Sequence, residues 1–114
     1  MKLVSLQRIE SFTTKDGSEI RELHHSDVQS LAEATREPDQ APERHYHRVT
    51  EEIYFVLKGS GDREVDGEHK RIAVGDAVLI PPGAWHTLHN NGTSELRILC
   101  CCVPPYSHDD TYFE

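Results

Sequence analysis

Apolar residues recur at every second position in several short stretches of this chain, and turn residues separate one stretch from the next. A period of two is typical of β-strands that bury one face. Residues 28–35 are ambiguous between a strand and a short helix, because Ser30-Leu31-Ala32-Glu33-Ala34 has good helix propensity. The other stretches are predicted to be extended: residues 3–12, 19–23, 45–47, 52–57, 62–65, 70–74, 77–80, 85–89 and 96–103.

Turn signals separate these predicted strands. Asp16-Gly17 and Asp66-Gly67 are two-residue hairpin signals, and Pro81-Pro82-Gly83 cannot continue a central strand. About eight to ten short strands with little helix predict an all-β sandwich or barrel in a single domain. Within it we expect N-terminal strands, a barrel core and a tail, over residues 1–28, 29–103 and 104–114.

The charge balance narrows the classes of partner. Twenty acidic and twelve basic residues give this 114-residue chain a formal charge of −8. Nucleic acids and anionic membrane surfaces attract clustered Lys and Arg, so neither is expected as a partner. The apolar runs are too short to span a bilayer, and residues 1–8 lack the apolar region of a signal peptide. We therefore expect a cytoplasmic protein.

The three cysteines, Cys100, Cys101 and Cys102, are adjacent in the sequence. Neighbouring residues of a strand point to opposite faces, so this run is a poor disulfide framework and lacks the spacing of a metal-binding pair. The cysteines are interpreted as small packing residues of the last predicted strand, and a reactive thiol is the alternative.

Candidate metal ligands cluster around the middle of the chain. His45 and His47 share one face of their predicted strand, and Glu52 opens the next strand after a short turn. Two imidazoles and a carboxylate form a metal site of nitrogen and oxygen donors. His86 is the candidate for a further ligand. Glu51 is the competing carboxylate, but strand alternation places it on the opposite face from Glu52.

Two stretches match the signatures of a known family. Residues 45–59 follow the pattern H-x-H-x4-E-x6-G, and residues 75–90 follow G-x5-P-x-G-x2-H-x3-N. In this order the two patterns resemble the cupin superfamily, and the count to Gly59 selects Glu52 over Glu51. One departure is Asp39, which occupies a loop position where the family pattern has glycine six residues before the first histidine.

The resemblance implies a double-stranded β-helix, or jelly-roll, barrel and a homodimer. It also implies a metal ion held by His45, His47, Glu52 and His86. Three imidazoles and one carboxylate suit divalent Mn, Fe, Ni, Co, Cu or Zn, and they leave part of an octahedral coordination sphere open. We therefore expect a small metal-dependent enzyme, an isomerase, dioxygenase or decarboxylase, that acts on an oxygen-rich metabolite. The alternative is a non-catalytic module that binds such a metabolite.

Three more residues are candidates for the site. Tyr54 lies two positions after Glu52 and is expected to point into the barrel, where it either handles a proton or packs in the core. Arg44 precedes the first ligand and either meets an anionic substrate or lies on the surface. His108 reaches the barrel mouth only if the C-terminal tail folds across it.

Overall fold

The computed structural model describes all residues from Met1 to Glu114. It contains two short 3₁₀ turns, Leu6–Arg8 and His108–Asp110, and none of its helical segments has the length or hydrophobicity needed to cross a membrane. The strands are β1 (Phe12–Thr13), β2 (Glu19–His25), β3 (Ser30–Arg36), β4 (His45–His47), β5 (Glu51–Lys58), β6 (Ser60–Val65), β7 (Glu68–Ala73), β8 (Ala77–Ile80), β9 (His86–His89), β10 (Leu96–Val103) and β11 (Thr111–Phe113).

These strands form two antiparallel sheets. The larger sheet has six strands in the order β1-β2-β3-β10-β5-β8, and the smaller has five in the order β11-β4-β9-β6-β7. Neighbours in each sheet are often far apart in sequence, as β10 is from both β3 and β5. The all-β jelly roll predicted from the sequence is confirmed.

The core consists of the residues that each sheet turns inward. In β5, Tyr54 and Val56 are buried, while Ile53 and Phe55, which alternate with them along the strand, are exposed, as the period-two pattern predicts. Burying each large aliphatic side chain stabilises the fold by roughly 1.5–3 kcal/mol. The most deeply buried aliphatic residues are Val56, Ile80, Leu88, Leu96 and Ile98.

Strand β3 resolves the ambiguity left by the sequence. Residues Ser30–Arg36 pair with β2 on one side and β10 on the other, so that Ala34 lies opposite both Ile20 and Ile98. Hydrogen bonding to two neighbouring strands overrides the local helix propensity, which amounts to only a few tenths of a kcal/mol per residue.

Both chain ends differ from the sequence prediction. Residues 3–12 were expected to be one extended segment, but Leu6–Arg8 form a 3₁₀ turn and only Phe12 begins a strand. The tail after residue 103 adds strand β11, in which Tyr112 pairs with Tyr46 and stacks on its ring. The C-terminus is therefore part of the smaller sheet.

The cysteine run alternates as a strand should. Cys100 and Cys102 are buried on the inner face, Cys101 lies on the outer face, and all three are free thiols. Burial raises the pKa of the Cys100 and Cys102 thiols, which therefore stay protonated at neutral pH. This arrangement favours a packing role over a reactive thiol.

Asn90, the last fixed position of the second signature, ties the end of β3 to the turn before β10. Its Nδ2 donates hydrogen bonds to the carbonyls of Arg36 and Ser94, both at 2.9 Å. Its Oδ1 accepts a hydrogen bond from the Gly92 N–H at 3.1 Å. Asn90 is completely buried, and it fixes the end of β3 against the turn before β10.

Gly59 tests how closely the turn after β5 approaches the backbone just before β10. A Cβ at this position, where φ is +82°, would lie 2.6 Å from the carbonyl oxygen of Glu95. Gly59→Ala should therefore lower the free energy of unfolding by roughly 3 kcal/mol, from backbone strain and overpacking together. Gly75 is a matched control, because its φ is +91° but nothing surrounds the new Cβ. Gly75→Ala should cost only about 1–2 kcal/mol. Equal losses in urea denaturation would contradict the close approach.

Candidate metal centre

Three histidines converge from two strands of the smaller sheet. His45 and His47 project from β4, and His86 begins β9, where it pairs directly with His45. One ring nitrogen of each histidine lies within 4.8 Å of the ring nitrogens of the other two. All three side chains are buried, with at most 3% of each residue exposed. The strand face shared by His45 and His47 was predicted from their spacing.

The turn before β9 places His86 in this cluster. Gly83 adopts a φ of +83°, which favours glycine, and its N–H donates a 2.7 Å hydrogen bond to the carbonyl of His47. The turn is thereby joined to β4, and β9 starts beside the other two histidines.

Glu52 reaches the histidines from the larger sheet. Its Oε1 lies 2.9 Å from Nε2 of His47 and 3.3 Å from Nε2 of His86. Its Oε2 accepts a hydrogen bond from the thiol of Cys102 at 3.4 Å. Glu51 is exposed, as strand alternation predicted. The cluster therefore joins the two sheets.

Backbone carbonyls determine which ring nitrogen of each histidine carries a proton. Nδ1 of His45 lies 2.7 Å from the carbonyl of Glu43, and Nδ1 of His86 lies 2.9 Å from that of Ala84. Nδ1 of His47 lies 3.2 Å from the carbonyl of Asp110. A carbonyl only accepts hydrogen bonds, so each Nδ1 is the donor. In the neutral imidazoles each Nε2 then presents a lone pair.

These lone pairs need a cation. Nε2 of His86 and Oε1 of Glu52 are buried atoms without a hydrogen-bond partner. A buried polar atom left unpaired is costly, and lone pairs that face each other at about 3 Å repel unless a proton or a metal ion lies between them. Three imidazoles and a carboxylate match the donors that divalent transition metals prefer. The three histidines could hold such an ion.

The pKa values at the cluster follow from burial and from these contacts. Burial and the nearby His86 lower the pKa of His45 to about 4, so this imidazole is neutral at pH 7. Burial opposes the charged forms of His47 and Glu52, but their mutual contact outweighs it. The pKa of His47 is therefore raised, and that of Glu52 is held well below its usual range.

A small cavity of about 50 Å³ opens beside the cluster. This volume corresponds to roughly four water molecules. Tyr54 lines the cavity, as expected, and burial raises the pKa of its phenol well above 10. The polar and sulfur-containing side chains around the cavity include Asp16, Arg36, Cys100, Cys102 and Tyr106.

Asp16 is a site residue that sequence reasoning missed. Its Oδ2 lies 3.6 Å from Nε2 of His45, while its Oδ1 accepts hydrogen bonds from Thr14 and Ser18. Burial favours the neutral acid, but these hydrogen bonds and the positive charge of Arg36 lower the pKa of Asp16. Asp16-Gly17 was interpreted only as a hairpin turn. Nothing in the local sequence indicates that this turn folds over the histidines.

Two expected site residues lie outside the cavity. Arg44 immediately precedes β4, and its side chain points away from the cavity. Its guanidinium pairs with Glu64 at 2.6 Å and with Glu114 at 2.7 Å, and it lies over the ring of Trp85. His108 is exposed on the second 3₁₀ turn and contacts the hydroxyl of Tyr106. The tail does pass beside the cavity, but it contributes Tyr106 to the lining in place of His108.

More than half of the chain matches the model of a known protein family. Residues 32–102 match the family model described as the cupin domain. The chain belongs to the cupin family. An uncharacterised protein of Methanocaldococcus jannaschii is 42% identical over an alignment that covers 97% of this cupin and 94% of the relative.

Two further matches cover most of the chain. A Thermotoga maritima protein named as oxalate-binding is 26% identical over 73% of this chain and 69% of its own length. A crystal structure of a Planctomyces limnophilus protein superposes with a TM-score of 0.83 at 25% identity, covering 99% of this chain and 96% of the other.

Asp110 secures the loop that follows the two β4 histidines. Its carboxylate accepts hydrogen bonds from the N–H groups of Arg48, Val49 and Thr50 at 3.1–3.3 Å. Asp110→Ala should therefore lower the free energy of unfolding by roughly 2–4 kcal/mol, because three donors lose their acceptor. Asp109 makes no such contact, and Asp109→Ala should change stability by less than about 0.5 kcal/mol. Equal stabilities in chemical denaturation would show that the tail does not secure this loop.

Proposed function

We propose that this cupin binds one divalent transition metal ion through Nε2 of His45, His47 and His86 and the carboxylate of Glu52. The single observation that carries the proposal is the convergence of the three imidazoles beside Glu52, with the Nδ1–H group of each imidazole already used by a backbone carbonyl. Candidate ions are Mn, Fe, Ni, Co, Cu and Zn, since all accept nitrogen and oxygen donors.

We further propose that the protein is a small metal-dependent enzyme acting on an oxygen-rich metabolite. A bound ion supplies Lewis acidity to substrate oxygens. The surrounding residues exclude bulk water and orient the ligand: Ala34 and Ile20 contribute apolar surface, and the Tyr54 phenol, protonated at neutral pH, offers a hydrogen-bond donor. The proposed reaction is an isomerisation, a dioxygenation or a decarboxylation. The protonated thiols of Cys100 and Cys102 argue against a cysteine nucleophile.

The second candidate function is metal-dependent binding of a small metabolite without turnover. The observation that favours it is the similarity to the Thermotoga maritima protein named as oxalate-binding, which covers 73% of this chain. Both functions use the same ion, the same four donors and the same cavity, and they differ only in whether the bound ligand is converted.

Metal analysis combined with a turnover assay tests these proposals. Purified without a nickel column and then loaded, the wild-type protein should hold one ion per chain. His47→Ala and Glu52→Gln should each weaken metal binding at least roughly 100-fold. Loss of a residue that only hydrogen-bonds to a metal ligand costs about 10–100-fold in metal affinity, and loss of a ligand itself should cost at least as much. Glu51→Gln is the matched control and should bind metal as the wild type does, because Glu51 is exposed.

The same proteins separate the two functions. Conversion of an enediol, a keto acid or oxalate, lost in His47→Ala and kept in Glu51→Gln, would support the enzyme. Binding of these compounds without conversion would support the binding module. Absence of stoichiometric metal under every loading condition would contradict both.

We also propose that the protein forms a homodimer through the outer face of the larger sheet. That face exposes apolar side chains on neighbouring strands: Ile53, Phe55, Leu57, Leu79 and Val103, each at least 41% exposed. Large exposed apolar patches mark interaction sites.

Light scattering tests the dimer. The wild type should have twice the chain mass of 13.0 kDa. Phe55→Lys should shift the protein toward monomer, because a charge would be buried in the interface. Val28→Lys, at an exposed residue before β3, should leave the mass unchanged. A wild-type monomer would contradict the proposal.

A further inference from the structure

Arg36 is a buried guanidinium without an acidic partner. Only 3% of the residue is exposed, and no carboxylate oxygen lies within 4.0 Å of its nitrogens. Its Nη1 makes one long hydrogen bond of 3.4 Å, to the carbonyl of Thr35, and its Nε has no partner. Unpaired buried charge is costly, and arginine keeps its proton in proteins. A buried guanidinium in a cavity wall that no carboxylate pairs with directly therefore indicates an anion that the protein binds.

The fold holds Arg36 beside the histidine cluster. Its backbone carbonyl accepts the hydrogen bond from Asn90, which fixes the end of β3, and its side chain lines the same cavity as His45, His47 and Glu52. Arg63 is the other buried arginine with unpartnered nitrogens, but it lies 4.3 Å over the ring of Tyr54 and does not line this cavity. Arg36 is thus the guanidinium that a ligand meets.

Two of the three acidic residues that line the cavity are engaged elsewhere, and the third, Glu22, forms no salt bridge with Arg36. Asp16 is hydrogen-bonded to Thr14 and Ser18, and Glu52 contacts the histidines and Cys102. Neither lies within salt-bridge distance of Arg36. The cavity therefore contains two kinds of unsatisfied group, lone pairs at the histidines and N–H donors at Arg36.

We infer that Arg36 binds the carboxylate of a small carboxylic acid whose second oxygen group faces the histidine cluster. The planar guanidinium fork matches the two oxygens of a carboxylate and can bind both at once. The cavity volume of about 50 Å³ limits the ligand to a few carbon atoms. The inference rests on the proposed metal centre for the second oxygen group only. It narrows the oxygen-rich metabolite to keto, hydroxy or dicarboxylic acids.

Calorimetric titration with pyruvate and its uncharged analogue pyruvamide tests the inference. The two probes differ in the carboxylate alone. In the metal-loaded wild type, pyruvate should bind at least roughly 30-fold more tightly than pyruvamide. This comparison needs no variant, so it holds even if a substitution at Arg36 impairs folding. Equal affinities for the two probes would overturn the inference.

The variant Arg36→Gln tests whether Arg36 causes the preference for pyruvate over pyruvamide. It should keep the metal content of the wild type but lose the preference for pyruvate, while binding of pyruvamide stays unchanged. Arg36→Lys keeps the charge but not the fork, and it should restore only part of the affinity. Arg71→Gln, at an exposed arginine of β7, is the matched control and should behave as the wild type. An undiminished preference for pyruvate in Arg36→Gln would overturn the inference.

Protein stripped of metal with EDTA separates this inference from the proposed function. Weaker pyruvate binding that still depends on Arg36 would support the carboxylate site independently of any ion. If no metal binds to the wild type, the metal proposal fails and the pyruvate comparison still decides the role of Arg36. If pyruvate, glycolate and oxalate all fail to bind, with and without metal, the inference is wrong.

Discussion

The structure depends on a buried cluster of hydrogen-bond acceptors. Three imidazoles converge between the two sheets, and Oε1 of Glu52 lies beside Nε2 of His47 and of His86. Nε2 of His86 and Oε1 of Glu52 have no hydrogen-bond partner. Without a proton or a metal ion between the acceptors this arrangement would be unfavourable, because burial removes water and leaves the lone pairs unpaired. The same arrangement becomes favourable once a positive ion occupies it. Much of the neighbouring hydrogen bonding serves to hold the acceptors in this position.

Several elements with no chemical role of their own hold the donors in place. The Gly83 turn is bonded to β4, the C-terminal tail supplies the carbonyl that orients His47, and Cys102 donates to Glu52. Asn90 fixes the strand end that carries Arg36. Each contact joins segments far apart in the chain, so the site forms only when both sheets have assembled.

The sequence predicted those features that depend on period and motif. Alternation placed His45 and His47 on one face and separated Glu52 from Glu51, and the second signature supplied His86. Strand pairing over residues 30–36 could not be predicted locally, because it depends on β10, more than sixty residues away.

The features that the sequence did not predict depend on long-range packing. Asp16 was interpreted as a turn residue, and Arg36 lies just after the ambiguous stretch 28–35, outside every predicted strand. Both side chains line the same cavity, because the fold brings the turn at Asp16 and the end of β3 together beside it. Arg44 was favoured by its nearness in sequence to His45, but strand alternation directs it outward to Glu64. Nearness in the chain therefore predicted which side chains meet at the cavity less well than the shared face of a strand.

Anomalous diffraction from crystals of the metal-loaded protein tests the central claim most directly. The account predicts one anomalous peak per chain, bonded to Nε2 of His45, His47 and His86 and to Oε1 of Glu52, with part of the coordination sphere open toward Arg36. A peak elsewhere, no peak after loading, or an ion closed off by protein ligands alone would contradict it.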